Sequence, residues 1–362
     1  MTASPITRSE RGTFDPWSKV AVGVALVLSL VAMRLAGLRP AVPVTLIYLV
    51  IVAFPFGFAV ALLIQRLEDS RLPSQWRPPV GLLAGVVTLG LYWPDRAWFL
   101  IPSAFVMLGM IVRCLAGPHD GTVQCGRIIS AVLMVGAIYV VVWNANYLAL
   151  LAGRFRLHDP SVRALDQWLY GALLGRPIVY DGWFPLTHSP WLIVTLERGY
   201  AALFVEVAVA LFLLVPCDRP LRVFVARLSV CYALGLVVFV LWPVAGPHLV
   251  YPASISAKFT GTSTSAILRS SLADFSAIRL GGQPVSGFGY FVALPSLHVA
   301  MAVLLQLTIR QRSRVGGWVV APMNGLMIVS TFALGYHYLV DVPAGMLLAW
   351  VSTRLWRAAL DS

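Results

Sequence analysis

Charged residues are scarce in this chain. Asp, Glu, Lys and Arg make up 12% of its 362 residues, whereas 59% are hydrophobic. This is about half the charge of an average soluble domain. Apolar runs long enough to cross ~30 Å of hydrocarbon recur along the chain, and no polar stretch is left for a separate soluble domain. The sequence therefore predicts an all-α polytopic membrane protein, with any chemistry placed between helices or in surface loops.

Acidic residues are fewer than basic ones, 15 against 27, which gives a net charge of +12. A nucleic-acid-binding protein would gather its basic residues with aromatics on one face, but here Arg is scattered over short loops. An excess of Lys and Arg in cytoplasmic loops is the better explanation. We therefore expect the bilayer, and no nucleic acid, as a partner; the oligomeric state is left open.

Cysteine is also rare, with four residues that show neither metal-ligand spacing nor a disulfide framework. We expect no metal and no cofactor.

The N-terminus lacks the short apolar core and small-residue cleavage site of a signal peptide, so the first apolar run, from about Trp17, is expected to be a retained span.

Ten apolar segments are predicted to span the membrane. The first four form an N-terminal region (residues 1–127) and the other six a C-terminal region (128–362) with two long loops, 153–189 and 246–289. In the first loop, residues 161–175 carry apolar side chains at helical spacing, which predicts an amphipathic helix on the membrane surface. The predicted spans are 17–37, 41–64, 78–93, 97–116, 128–152, 190–214, 221–245, 290–309, 316–335 and 337–357.

The placement of Lys and Arg predicts the orientation. More than half of them fall in the segments that are inside when the N-terminus is cytoplasmic. Both termini are therefore expected in the cytoplasm. The loop 246–289, the start of the span 290–309 and the turn 335–337 are then on the outer face of a cell or inner membrane.

His337 and Asp341 lie four residues apart at the outer end of the last predicted span. On a helix they share one face, so that the carboxylate accepts the proton of one ring nitrogen. The other nitrogen is then unprotonated and oriented, as a nucleophile or a base requires. The alternative is a polar pair that joins two packed helices.

A second polar interruption, Leu-Pro-Ser-Leu-His at residues 294–298, breaks a long apolar region. Ser296 is a suitable N-cap for a helix over 296–309. That helix is roughly 21 Å long, too short to cross the bilayer alone, so its start is expected to be recessed unless residues 290–293 extend it. A recessed helix start presents N–H groups to a phosphate, and His298 lies in the first turn. The alternative is a cap followed by a packing histidine.

Together the two motifs resemble the second and third signatures of the type 2 phosphatidic acid phosphatase (PAP2) superfamily, P-S-x-H and S-R-x5-H-x3-D. The form G-Y-H-Y-L-V-D looks most like the branch of inositol phosphorylceramide and sphingomyelin synthases. The resemblance covers roughly residues 128–357 and implies a six-helix core, with the four N-terminal spans outside it. The matching residues are Pro295, Ser296, His298, Ser330, His337 and Asp341.

Two departures from the family pattern remove cationic side chains that bind phosphate. The first signature, K-x6-R-P, is absent, and residues 241–252 stand in its place; the Arg of the third signature is Thr331. Fewer cations suit a phosphodiester, with one negative charge, better than a monoester with nearly two. Candidate replacements in the outer loop, each of which is alternatively an ordinary solvated charge, are His248, Lys258, Arg269 and Arg279.

The resemblance implies that His337, oriented by Asp341, attacks phosphorus and that His298 protonates the leaving oxygen, with Pro295, Ser296 and Ser330 at the phosphate. We expect an enzyme that moves a phospho-alcohol headgroup from a phospholipid donor to a lipid alcohol. The alternative is a hydrolase of lipid phosphates or isoprenoid diphosphates with water as the acceptor. A transporter is a third reading, which the lack of an inverted repeat disfavours.

Five further polar residues fall within or near predicted spans. Each is expected to tie helices together rather than to bind a headgroup, because an intramembrane polar group needs a partner. They are Asn144, Asn146, Glu197, Arg198 and Glu206.

Overall fold

The computed structural model describes residues 16–39, 53–70, 72–91, 119–174, 189–214, 217–251, 259, 262–284 and 291–361. Within these ranges the chain is helical and forms no strand, in agreement with the all-α prediction. The helices are α1 (Pro16–Leu35), α2 (Phe54–Asp69), α3 (Arg77–Leu91), α4 (His119–Ala152), α5 (Asp159–Leu174), α6 (Pro190–Leu214), α7 (Asp218–Leu241), α8 (Pro247–Val250), α9 (Ser263–Arg279), α10 (Leu297–Arg312), α11 (Arg314–Ala333) and α12 (Asp341–Asp361).

Three segments of the described helices are each long and apolar enough to cross a membrane: Gly126–Ala152, Arg219–Leu241 and Arg314–Ala333. The chain is an integral membrane protein. The ten-span count stays a prediction. The predicted span 97–116 and the first part of the span 41–64 lie outside the described residues.

The bounds of α6 are the predicted ones, but α12 begins later than predicted. The helix α10 begins at Leu297, directly after the predicted N-cap Ser296, and residues 291–293 of the predicted span do not extend it. The helix α12 begins at Asp341 rather than 337, because Gly335, with φ +78°, turns the chain after α11. Two non-helical turns, 291–296 and 334–340, therefore precede these helices.

The long loop predicted over 246–289 contains the two helices α8 and α9, so its interpretation as a plain loop was wrong. The helix α9 is rich in serine, which hides it from a search for apolar runs. Its start is capped by Thr262, whose side chain accepts from the Ser265 N–H. Glu197 of α6 accepts from the Thr264 N–H at 2.6 Å, and it is a structural tie as predicted. The helix predicted over 161–175 is present as α5, and its position on the membrane surface stays a prediction.

The core forms around α6 and α10. The helix α10 packs against α6, α7, α11 and α12, so its N-terminus is surrounded by other helices. Glu206 of α6 is fully buried beside Asn324 of α11. Asn144 donates to the Val140 carbonyl of its own helix at 2.8 Å.

The N-terminal helices pack on the outside of this core: α1 on α4, α2 on α6 and α3 on α11. At the α3–α11 contact, a Cβ on Gly85 would lie 2.1 Å from the Val319 carbonyl oxygen, so only glycine fits there. Glu68 of α2 accepts a hydrogen bond of 2.8 Å from the hydroxyl of Ser313, the residue that precedes α11. The predicted boundary at 127/128 falls inside α4, and the division into two regions stays a prediction.

Candidate active site

The turns before α10 and α12 lie against each other. The Ser296 N–H donates to the Asp341 carbonyl at 3.2 Å, and the Ser296 hydroxyl accepts from the Val299 N–H at 3.3 Å, as expected of an N-cap. A Cβ on Gly345 would lie 2.5 Å from the Ser296 carbonyl oxygen, so glycine is needed for this close approach. The starts of two helices are thereby joined at one point.

His337 lies at this point and is 3% exposed. Its Nδ1 lies 2.9 Å from the Ala293 carbonyl and 3.3 Å from Asp341 Oδ2. Both neighbours are acceptors, so Nδ1 carries the proton and Nε2 keeps a lone pair. Nε2 lies 3.4 Å from the Ser296 hydroxyl. The predicted pairing of His337 with Asp341 is present.

The pairing does not arise from a shared helix face. His337 precedes α12, and the turn 334–340 folds back over the start of that helix. Asp341 Oδ2 also accepts from the Tyr338 N–H at 2.8 Å, and the His337 N–H donates to the Thr331 carbonyl at 3.0 Å. The orientation of the ring thus depends on the turn rather than on helical periodicity.

His298 lies in the first turn of α10, with its ring centroid 5.8 Å from that of His337. The Tyr200 hydroxyl of α6 lies 2.9 Å from His298 Nε2. Tyr336 stacks on Tyr200 at 4.8 Å, and the buried His248 meets Tyr336 edge-on at 5.8 Å. Of the predicted cation replacements, His248 is linked to His298 through the rings of Tyr336 and Tyr200. Tyr200 was missed because no motif marks it, and Tyr336, although part of the G-Y-H-Y-L-V-D motif, was given no role.

Asp159, the first residue of α5, is also missing from the sequence prediction. Its carboxylate accepts from the Ala245 and Gly246 N–H groups at 2.9 and 2.7 Å, and from the Tyr338 hydroxyl at 3.0 Å. Burial raises the pKa of this carboxyl above its usual value, and the three donors limit the rise. It joins the segment after α7 to the turn that carries His337.

Asp166 makes the second contact of α5 with that turn. Its two oxygens accept from the Leu339 and Val340 N–H groups, each at 2.9 Å. Asp159 and Asp166 are seven residues, about two helical turns, apart, so they share one face of α5. This seven-residue spacing was the one signal in the sequence from which the two contacts of α5 could have been predicted. We call Asp159 and Asp166 the carboxylate clamp.

The remaining predicted residues are less close to the histidines. The Ser330 hydroxyl donates to the Leu326 carbonyl of its own helix at 2.6 Å. Arg269 is exposed and binds Ser265 of α9, and Arg279 is exposed in the last turn of α9. Pro295 precedes the cap Ser296. Lys258 lies outside the described residues.

A narrow cavity of about 50 Å³ opens beside His298, between α4, α6, α7 and α10. Its wall is mainly apolar, with one amide from Asn146. Apolar walls with few polar groups are typical of sites that hold hydrophobic ligands. The other lining residues are Tyr139, Val142, Trp143, Leu203, Phe204, Tyr232, Phe291, Val292, Leu297 and Met301.

No group of three or more His, Cys, Asp or Glu residues in the described part of the chain has the arrangement of a metal site. Cys217 and Cys231 are free thiols. The side-chain contacts of the two histidines include the Asp341 carboxylate and the hydroxyls of Ser296 and Tyr200.

The fold and the site define a helical membrane protein with two neighbouring histidines, the buried His337, which contacts an aspartate, and the half-buried His298. The profile of the PAP2 superfamily matches residues 164–355, just over half of the chain, and the chain belongs to this superfamily. It is therefore an enzyme of the phosphatase/phosphotransferase class that acts on lipid phosphates in membranes. The match begins within α5, later than the expected residue 128. Neither the curated proteins nor the solved structures gave a match.

Proposed function

We propose that this enzyme is a lipid phosphotransferase that moves a phospho-alcohol headgroup between lipids through a phosphohistidine on His337. The observation that supports this most is the position of His337 Nδ1 between two acceptors, the Ala293 carbonyl and Asp341, which favours the proton on Nδ1. It leaves the lone pair of Nε2 beside the capped start of α10, where a phosphate would meet helix N–H groups.

In the first step, His337 Nε2 attacks the phosphorus of a phospholipid. A P–N bond forms, and the P–O bond to the donor lipid's alcohol breaks. His298, whose ring is 5.8 Å from His337, gives its proton to the departing alkoxide, so that diacylglycerol leaves. Asp341 stabilises the positive charge that His337 gains.

In the second step, His298 is the base. It removes the proton from the hydroxyl of a lipid alcohol, whose oxygen attacks phosphorus while the P–N bond breaks. The phospho-alcohol is then on the acceptor lipid, and His298 is protonated for another cycle. The apolar cavity beside His298 is suited to a lipid chain of either substrate.

The side chains that contact the histidine pair favour a phosphodiester. Within the part of the chain that the structure describes, these contacts include the Ser296 hydroxyl, the Asp341 carboxylate and the Tyr200 hydroxyl, none of which is a cation. A phosphodiester carries one negative charge and needs less compensation than a monoester. We place this site on the outer face of the membrane, with both termini in the cytoplasm, on the distribution of Lys and Arg.

A hydrolase of lipid phosphates or isoprenoid diphosphates is the second candidate. Membership of the PAP2 superfamily favours the hydrolase as much as the transferase. The same two histidines would act in both reactions, with water rather than a lipid alcohol attacking the phosphohistidine.

The two candidates separate in one assay. The purified full-length protein is incubated with phospholipids carrying a labelled headgroup, with and without diacylglycerol or ceramide as acceptor. A labelled product lipid that forms only with the acceptor supports the transferase. Release of inorganic phosphate or a free phospho-alcohol, at a rate that the acceptor does not change, contradicts it and favours the hydrolase.

A further inference from the structure

The narrow cavity beside His298 contains a polar group that the proposed reaction does not use. Tyr139, Trp143 and Asn146 share one face of α4, at spacings of four and three residues, and all three line the cavity. His298 lines the same cavity from the first turn of α10. One ligand in this cavity can therefore contact both the Asn146 amide and the His298 ring.

The two asparagines of α4 differ in their hydrogen bonds. Asn144 is fully buried, and its amide donates to the Val140 carbonyl of the same helix at 2.8 Å. Asn146 is 7% exposed, and its amide oxygen is buried without a hydrogen-bond donor among the residues that the structure describes. The tie between helices that the sequence predicted for Asn146 is not made by this oxygen within those residues.

A buried amide oxygen without a donor is unfavourable, above all within a membrane, where no bulk water replaces the missing donor. The hydroxyl of Tyr232, another polar group of the cavity wall, already donates to the Met301 sulfur at 3.3 Å. A ligand that places an N–H or O–H group beside Asn146 would supply the donor that its oxygen lacks. A purely apolar ligand would not.

The hydroxyl that reacts cannot supply this donor. In the proposed second step that hydroxyl gives its proton to His298, so no proton is left on it for Asn146. A lipid that satisfies both residues therefore needs a second N–H or O–H group close to the reacting hydroxyl. A diacylglycerol has a single hydroxyl and no N–H group, so it satisfies only one of them.

We propose that Asn146 is a specificity-determining residue, whose amide oxygen accepts a hydrogen bond from a second donor group of the lipid alcohol that reacts at His298. The substrate class is then lipid alcohols with an N–H or a further O–H group next to the reacting hydroxyl. This inference rests on the proposed transfer function, which supplies the role of His298. The choice among lipid alcohols, rather than the rate of the chemical step, should depend on Asn146.

The test measures binding without turnover. The full-length protein is kept in a maltoside detergent free of phospholipid, so that no headgroup is transferred. The midpoint of thermal unfolding is followed against the mole fraction of added lipid, since a ligand of the native state raises it. The probes are 1-oleoylglycerol and its 2-O-methyl ether, which lacks the second O–H group. We expect 1-oleoylglycerol to act at an about tenfold lower mole fraction, as the loss of a buried hydrogen bond predicts.

Three variants show whether this preference depends on Asn146. Asn146→Val should abolish it, because valine has no acceptor. Asn146→Thr, which has the shape of valine but carries a hydroxyl oxygen, should restore part of it. The matched control is Asn144→Val, which removes a buried amide of the same helix that does not line the cavity, and it should keep the preference.

Equal binding of the two probes by the wild type would overturn the proposal, and this comparison needs no variant to fold. A preference that Asn146→Val leaves unchanged would overturn it as well. In the transfer assay, Asn146→Val should raise KM for 1-oleoylglycerol about tenfold and leave kcat within about threefold of the wild type. If no acceptor yields a product lipid, yet the binding preference is present and is lost in Asn146→Val, the transfer reaction is wrong and the Asn146 binding site stands.

Discussion

The N-terminal helices and the turns around His337 are held in place in different ways. The helices α1, α2 and α3 lie against α4, α6 and α11 mainly through close apolar packing, as at Gly85. The turn 334–340 is held by hydrogen bonds to the carboxylates of Asp159, Asp166 and Asp341. The turn 291–296 is held by backbone hydrogen bonds to Val244 and Asp341 and by the contact of its Ala293 carbonyl with His337. Packing is non-directional, whereas hydrogen bonds fix both distance and angle. Changes in the two regions should therefore affect different quantities: stability in the first and turnover in the second.

The largest effect on turnover is expected from His337→Ala. Removal of the proposed nucleophile should lower kcat by at least ~10³-fold, because no other group near the phosphorus forms the covalent intermediate. Product formation in nanodiscs and the unfolding midpoint are the measurements. The control is His158→Ala, because His158 stacks on Trp242 outside the histidine pair. Turnover within threefold of wild type in His337→Ala would contradict the assigned role.

The next largest effect on turnover is expected from Asp341→Asn, which should lower kcat by about 10²- to 10³-fold. An amide still fills the space but no longer stabilises the charged His337 ring, and it can favour the wrong tautomer. Asp274→Asn is the matched control, since Asp274 is equally buried and accepts from Tyr147 at 3.2 Å between α4 and α9. If both variants lose turnover and stability alike, Asp341 is a structural residue rather than an orienting one.

Asp166→Asn tests the carboxylate clamp and should lower kcat by about tenfold. One of the two N–H groups of Leu339 and Val340 would lose its carboxylate acceptor, so the turn that carries His337 becomes less ordered. The unfolding midpoint and KM should change little, because α5 keeps its packing and the Asp159 contacts. A loss of stability without a loss of kcat would show that the clamp supports the fold only.

Tyr200→Phe should lower kcat by a few-fold, because the hydroxyl positions His298 but takes no part in bond making. We expect the pH dependence of kcat to shift as well, since that hydroxyl contacts a ring nitrogen of the proposed acid. Tyr232→Phe is the control: its hydroxyl contacts the Met301 sulfur beside the same cavity. Identical pH profiles for wild type and Tyr200→Phe would exclude a role for Tyr200 in the proton transfer.

The smallest effect on turnover is expected in the N-terminal region. Gly85→Ala should destabilise the protein by about 1–3 kcal/mol through overpacking, because its Cβ meets the Val319 carbonyl. The kcat of the folded fraction should stay near the wild-type value. Gly23→Ala, where a Cβ meets nothing within 4 Å, is the control for thermal unfolding. A large fall in kcat for Gly85→Ala at unchanged stability would remove the distinction between the two regions.

Local signals in the sequence account for several parts of the site. The N-cap at Ser296, the partnership of His337 with Asp341 and the helix α5 were all predicted from residues within a few positions of one another. The start of α12 was placed too early, because apolar residues continue through the turn 334–340. A periodicity search does not separate such turns from the helices that they precede.

Contacts between distant parts of the chain were beyond local prediction. Asp159 and Tyr338 are 179 positions apart, and Tyr200 and His298 are 98 apart. Their partnership depends on how α5, α6 and α10 pack, which no motif records. The replacements for the missing phosphate-binding cations were also chosen by charge alone, and of those that the structure describes His248 contacts Tyr336, the residue before His337.

The central claim is a phosphohistidine on His337. The full-length protein is mixed with phospholipid labelled at phosphorus, without acceptor, quenched in alkali and analysed by mass spectrometry of its peptides. We predict label on the peptide that contains His337, which is lost on addition of diacylglycerol and absent from His337→Ala. Active wild-type enzyme that carries no label, or label that persists in His337→Ala, would contradict the account.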